Sequence, residues 1–329
     1  MSAPAIQPPA GIDAFLADAG WEGSEIVPLE GDASFRRYFR IRRANAQRAM
    51  LMHAPPPHED PQPFLDVAQY LHGHGLRAPE IYAERAREGF VLLEDFGDAR
   101  LRDHLDGHPE DEEAAYAAAI DALVALHACP PGDFSPYDMA AYLREIELFT
   151  DWYCPLAGIE VDVAGHRAAW EAALAPLVER EGNGVTVLRD YHAENIMLPP
   201  DGGQGLIDFQ DALVGHPAYD IVSLLQDARR DVSEALEAKM LDHYRSAVDV
   251  NEHFDADYAL LGAQRNAKIV GIFARLFRRD GKPRYLALVP RVWAAMERDL
   301  AHPALAPVAQ WFAANVPQPL RDELGGQLG

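Results

Sequence analysis

One stretch of the chain leaves it little freedom. Leu188-Arg189-Asp190-Tyr191-His192-Ala193-Glu194-Asn195-Ile196-Met197 sets Asp190 five residues before Asn195, and Asp208 follows thirteen residues later in Leu206-Ile207-Asp208-Phe209. Val185–Leu198 and Gln204–Asp208 read as strand-like and loop segments that break an otherwise alanine-rich helical pattern. Alone, an Asp or Asn in such a place is an ordinary turn former. Together these residues offer a carboxylate that can sit beside an attacking hydroxyl, and two oxygen donors of the kind a magnesium ion takes. That is the equipment of phosphoryl transfer.

The 329 residues can bury a large core and suggest two lobes. A net charge of −23 repels nucleic acid and anionic lipid, so neither is an expected partner. The two cysteines, Cys129 and Cys154, are too few for a disulfide framework and point to a reducing compartment. Met1 to Ala10 has neither a basic cluster nor an apolar core, so it does not read as a signal peptide, and no apolar run spans a bilayer. The expected location is cytoplasmic.

Hydrophobic patterning predicts a helix over Ile12–Ala19 and strands over Ser24–Leu29, Phe35–Arg42 and Ala49–His53. A helix over Pro63–Leu71 and strands over Glu80–Ala83 and Gly89–Leu93 follow. Beyond Glu94-Asp95-Phe96-Gly97, the natural hinge, helical patterns dominate: Glu110–His127, Met139–Trp152, His166–Glu179, Ala218–Ala228, Ser233–Ala247, Asp257–Phe277 and Tyr285–Leu300. The expected class is α+β, with a small five-stranded lobe over residues 1–96 and a mostly helical lobe over 97–329.

Leu188–Met197, Ile207-Asp208-Phe209-Gln210-Asp211 and Gly215-His216-Pro217-Ala218-Tyr219-Asp220 resemble the aminoglycoside phosphotransferase superfamily. Gly31-Asp32-Ala33-Ser34-Phe35-Arg36-Arg37-Tyr38-Phe39-Arg40, Ser223–Arg230, Gly271–Leu276 and Arg279–Lys282 further resemble the anomeric kinases of N-acetylmuramate and N-acetylglucosamine used in peptidoglycan recycling. The resemblance implies a protein-kinase-like fold with an antiparallel five-stranded first lobe, ATP and Mg2+ as cofactors and a small sugar as substrate. It implies that Asp190 is the catalytic base and that Asn195 and Asp208 bind the metal. The backbone of Glu94–Phe96 would meet adenine, Gly31–Phe35, including Ser34 and Phe35, would cover the phosphates, and Asp220 would brace the catalytic loop.

Two departures stand out. Gly31–Arg36 is not a Gly-x-Gly-x-x-Gly loop, although Asp32, Ala33 and Ser34 are small and turn-prone. The third strand, Ala49-Met50-Leu51-Met52-His53, has no lysine to present to the phosphates, and the three lysines of the chain, Lys239, Lys268 and Lys282, all lie in the second lobe. Alternation puts Arg37 on one face with Phe35, Phe39 and Ile41, where an arginine is costly without an anion, so Arg37 is the expected phosphate contact. The opposing reading is that its stem passes the apolar residues and its head reaches water.

Between Leu260 and Arg298 lie nine Lys or Arg and two acids. Arg265, Lys268, Arg275, Arg279 and Lys282 fall on one helical side, as a solvated face or as a pocket for an anionic sugar. The expected substrate residues are Asp32, Glu194, Asp211, Arg229, Arg265 and Arg275, with arginine suited to the lactyl carboxylate of N-acetylmuramate. A polycationic aminoglycoside would be repelled. The alternatives left open are a kinase of another small alcohol, of the aminoglycoside, choline or homoserine type, and a nucleotide-binding pseudokinase.

Overall fold

The computed structural model describes residues 7–29, 35–180 and 184–328. The chain divides into two compact units, Met1–Leu101 with Asn195–Asp211, and Arg102–Glu194 with Ala212–Gly329.

The first unit is built on an antiparallel sheet of β1 (Glu25–Pro28), β2 (Arg37–Arg42), β3 (Arg48–His53), β4 (Ile81–Arg85) and β5 (Phe90–Leu93), in the order β1-β2-β3-β5-β4. Period-two alternation decides its faces. Phe39 pairs with Leu51 and Ile41 with Ala49, and these residues join Phe90 and Leu92 in a core closed by Ile12, Phe15 and Leu16 of helix α1 (Ile12–Asp18) and by Trp21. Tyr38, Arg40, Met50 and Met52 point to the opposite face. Gly89, with φ 80°, ends the turn before β5; a Cβ there would lie 2.0 Å from the Ala54 carbonyl oxygen, so only glycine fits. Helix α2 (Gln62–Gly73) buries Phe64, Leu65, Val67, Ala68 and Leu71, and the Phe64 ring stacks 4.9 Å from Phe209.

Phe209 belongs to a segment far away in sequence. Ile196–Met197 pairs antiparallel with Gly205–Leu206, and this hairpin is stitched to the first unit by Leu198 N–H to Ala99 C=O at 2.8 Å and Leu206 N–H to Arg77 C=O at 2.8 Å. Gly205 leaves room for the Phe96 ring, which a Cβ would meet at 2.5 Å. The first unit is therefore discontinuous in sequence, which a single boundary near residue 96 does not anticipate.

The second unit is helical: α3 (Leu101–Gly107), α4 (Glu112–His127), α5 (Met139–Leu148), a π-helical stretch over Phe149–Tyr153, α6 (Cys154–Leu156), α7 (Val163–Arg180), α8 (Ala218–Leu225), α9 (Glu234–Ala247), α10 (Phe254–Asp280), α11 (Val289–Leu300), α12 (Ala306–Asn315) and α13 (Gln318–Asp322). Asp138 and Ser233 cap α5 and α9 by accepting the N–H of Ala141 and Leu236. Helix α10 is the axis of the unit, buried on every side from Leu260 to Gly271. Its polar residues there find partners: Gln264 donates to Glu145 at 3.2 Å and Asn266 to Gln226 at 2.7 Å. Phe149, Tyr153, Trp170, Trp293 and Phe312 fill the core around it, each worth about 1.5–3 kcal/mol on burial. Among the described residues no helix is long and apolar enough to cross a membrane.

Candidate active site

In the second unit the loop carrying Asp190 leaves the short strand Val185–Val187, which pairs with Leu213–Gly215. At Leu188 the chain turns away from its strand partner, so its backbone donors need another acceptor. Asp220, the third residue of α8, supplies it: its carboxylate accepts the Leu188 N–H at 2.6 Å and the Arg189 N–H at 2.7 Å. Burial pushes this carboxyl up to about 7, and the two backbone donors oppose that rise. Arg189 adopts φ 70°, a left-handed conformation uncommon for a side-chain-bearing residue. Its side chain pairs with Glu145, and its carbonyl accepts from Ser223 Oγ at 3.0 Å. Ser223 in turn accepts from Arg265 Nη2 at 2.8 Å.

Asp190 therefore projects from a loop fixed at both its donors and its acceptor. Burial alone would raise its carboxyl, but the charges of Lys268, Arg265 and Arg189 prevail and hold it below the usual carboxylate range. Lys268 is held 3.2 Å from Glu145 and 2.9 Å from the Tyr219 hydroxyl. The group is an ionised acceptor set among cations, able to orient a hydroxyl and to take its proton late in a reaction.

In the first unit the hairpin brings the candidate metal residues side by side. Ile207 N–H donates to the Asn195 carbonyl at 3.1 Å, and Asn195 Nδ2 lies 3.4 Å from Asp208 Oδ2. Asp208 has φ 60°, so the second left-handed residue of the motif also falls on a chemical group. One carboxylate and one amide oxygen match the sparse protein ligation magnesium accepts when phosphates and water complete its shell. Among the described residues no group of three or more His, Cys, Asp or Glu converges as a denser metal site.

The remaining expected residues divide. The Glu94 N–H is taken by the Glu80 carbonyl at 2.8 Å and its side chain by Arg77, while among the described residues the Phe96 N–H donates to no protein acceptor. Phe35 is 64% exposed and stacks on His58. Ser34 and Asp32 lie outside the described residues. Asp211 is exposed and accepts from Gln210.

Arg37, the expected phosphate contact, is exposed and lies opposite His53 on the face packed under α1. Arg36, which the sequence reading passed over, lies 3.6 Å from Asp208 instead. Alternation counted back from Tyr38 and Arg40 places Arg36 on their face, and the burial of Phe39 and Ile41 identifies which face that is.

The basic stripe is not a single surface. Arg265 is 3% exposed and Lys268 is buried, both turned toward the loop of Asp190, whereas Arg279 is exposed and pairs with Asp280. Arg229 and Glu194, both expected at the substrate, pair with each other at 2.8 Å, and Arg102 holds the other Glu194 oxygen at 2.6 Å. Arg275 is half-buried, and its Nε has no acceptor among the described residues. Glu145, the hub beneath Asp190, carried no signal in the sequence, because an acid on a helix usually faces water.

Residues 25–259 match the profile described as the phosphotransferase enzyme family. This chain belongs to that family. Among its relatives, the N-acetylmuramate/N-acetylglucosamine kinase of Caulobacter vibrioides is 38% identical over 92% of this chain and 95% of its own length. The enzyme of the same name from Pseudomonas aeruginosa is 37% identical over 92% of this chain and 93% of its own. The phosphotransferase fold also matches solved structures: an ADP-bound aminoglycoside phosphotransferase (TM-score 0.57, 16% identity, 83% of this chain and 92% of that one) and a choline kinase from Streptococcus pneumoniae (TM-score 0.61, 15% identity, 86% and 93%). At such identity these two speak for the fold alone. The chain is thus a phosphotransferase with a five-stranded antiparallel first lobe and a mostly helical second one, the architecture of protein-kinase-like enzymes.

Proposed function

We propose that this phosphotransferase moves the terminal phosphoryl group of ATP to the anomeric hydroxyl of an amino sugar, N-acetylmuramate or N-acetylglucosamine, in cytoplasmic peptidoglycan recycling. The observation that carries the transfer reaction is the environment of Asp190, kept ionised by Lys268, Arg265 and Arg189 on a loop held by Asp220. The choice of sugar is supported by relatives named for it at 37–38% identity over nine-tenths of the chain. The anomeric position follows the resemblance to that group.

In this reading Asp190 orients the hydroxyl and accepts its proton as the new oxygen–phosphorus bond forms and the bond to the departing ADP oxygen breaks. Asn195 and Asp208 would hold Mg2+, which when bound screens the charge of the phosphate oxygens. The Phe96 N–H is offered to the adenine edge. Arg275 is the candidate for the carboxylate of N-acetylmuramate, because its partly buried guanidinium retains an unmatched donor.

The test is to incubate the protein with ATP, Mg2+ and each of N-acetylmuramate, N-acetylglucosamine, choline and an aminoglycoside. ADP release is followed, and the product phosphate is located by its coupling to protons in NMR. A sugar 1-phosphate is expected. Turnover of choline or the aminoglycoside alone, or phosphate on another hydroxyl, would replace this reading.

A further inference from the structure

We infer that Arg36 delivers to the nucleotide phosphates the positive charge that β3, lacking a lysine, does not. The inference rests on the kinase reading above and names the cation of that site.

A phosphate chain needs a cation with donors to spare, and four other arginines of the first unit, Arg40, Arg77, Arg37 and Arg48, can be compared with Arg36. Arg40 is spent: its Nε lies 2.7 Å from Asp95, its Nη2 2.8 Å from Asp98 and 3.3 Å from the Gly97 carbonyl. Arg77 is clamped by both Glu94 oxygens and by Asp201. Arg37 is exposed on the face under α1. Arg48, its side chain 43% exposed, lies 3.9 Å from Asp95.

Arg36 differs from all of these. Its side chain is only 14% exposed and reaches Asp208 through Nη2 at 3.6 Å, too long for a good hydrogen bond. Its Nε and Nη1 are buried and have no acceptor among the described residues. A guanidinium shut away from water with two donors unmet is expensive unless an anion completes it. The phenol of Tyr38 stands beside it, half-buried and pushed up to about 12 chiefly by desolvation, so it stays neutral and cannot be that anion. Asp208 is the candidate metal ligand, so the place Arg36 already occupies is where a metal-bound phosphate would lie. The planar fork of arginine suits two phosphate oxygens at once, a contact a lysine makes as a point charge.

The binding of ADP and of adenosine is measured by calorimetry for the wild-type chain and for R36Q, R36K and R37Q, with thermal melting to verify folding. R36Q is expected to weaken ADP by about tenfold or more while adenosine, which has no phosphate, changes less than about twofold. R36K should fall between, and R37Q should match the wild type. Unchanged ADP affinity in R36Q, or equal losses for ADP and adenosine, overturns the assignment to Arg36. If the wild-type chain binds ADP and phosphorylates a sugar while R36Q binds ADP normally, only this inference falls. If the wild-type chain binds no ADP, the kinase reading falls and takes this one with it.

Discussion

The Arg189 N–H lies 2.7 Å from Asp220 Oδ1, and Arg189 is one of four side-chain-bearing residues among those described with a left-handed backbone. The two facts belong together. A left-handed conformation costs such a residue roughly 1–2 kcal/mol, and it persists where surrounding bonds hold it. Asp220 holds it from α8, which places the side chain of the next residue, Asp190.

Replacing Asp220 with Asn tests this brace. The amide has one oxygen to accept with, and its NH2 would face a second N–H. The turnover number should fall more than about tenfold. ADP affinity should hold, since the candidate nucleotide residues belong to the other compact unit. Steady-state kinetics beside calorimetry separates the two quantities, and an equal loss in both would point to general unfolding.

The pair of Lys268 and Glu145 predicts a stability effect. Lys268→Met leaves the half-buried Glu145 with less compensation, and breaking such a pair costs up to about 3 kcal/mol. Urea unfolding measures it. A loss below about 1 kcal/mol would mean that Arg189, Gln264 and Tyr137 satisfy the acid without Lys268.

Two buried histidines predict acid sensitivity. Burial pushes His127, bonded to the Tyr244 hydroxyl, and His166, bonded to Trp170, down to about 3. In the unfolded chain each protonates near 6.5. Below that pH the unfolded state takes up protons the folded state refuses, so stability is full above about 6.5 and falls as pH drops toward about 3. The slope is up to about 1.4 kcal/mol per pH unit for each histidine. In His166→Gln the fall should be shallower by about that amount between pH 6 and 5, read from urea unfolding. A wild-type and variant difference that stays constant with pH would contradict it.

Arg275→Ala predicts a change in specificity. If its guanidinium meets the lactyl carboxylate, kcat/KM for N-acetylmuramate should fall about tenfold further than for N-acetylglucosamine, which lacks that group. Equal losses would remove Arg275 from carboxylate recognition.

Much of this was legible in the sequence because it is local. The strands of the first lobe carry period-two patterns, and Asp190, Asn195 and Asp208 lie within nineteen residues. Asp220 was identified as a brace by resemblance, and its hydrogen bonds to Leu188 and Arg189 show how it acts. What could not be read depends on long-range packing. Arg36 and Arg37 are neighbours in sequence, and only α1 packing on Phe39 and Ile41 decides which one keeps its charge for Asp208. Arg265 and Lys268 look like a solvated stripe until α10 is found buried on all sides. Arg229 and Glu194 each look like substrate contacts, and their mutual ion pair is visible only in three dimensions.

The most direct test of the account is Asp190→Asn, assayed for ADP release with N-acetylmuramate and for the affinity of ADP. The replacement keeps the shape and removes the proton acceptor. ADP should bind as it does to the wild type, while release slows by about a hundredfold or more. An Asp190→Asn enzyme that transfers phosphate at the wild-type rate would contradict the assignment of the reaction to this loop.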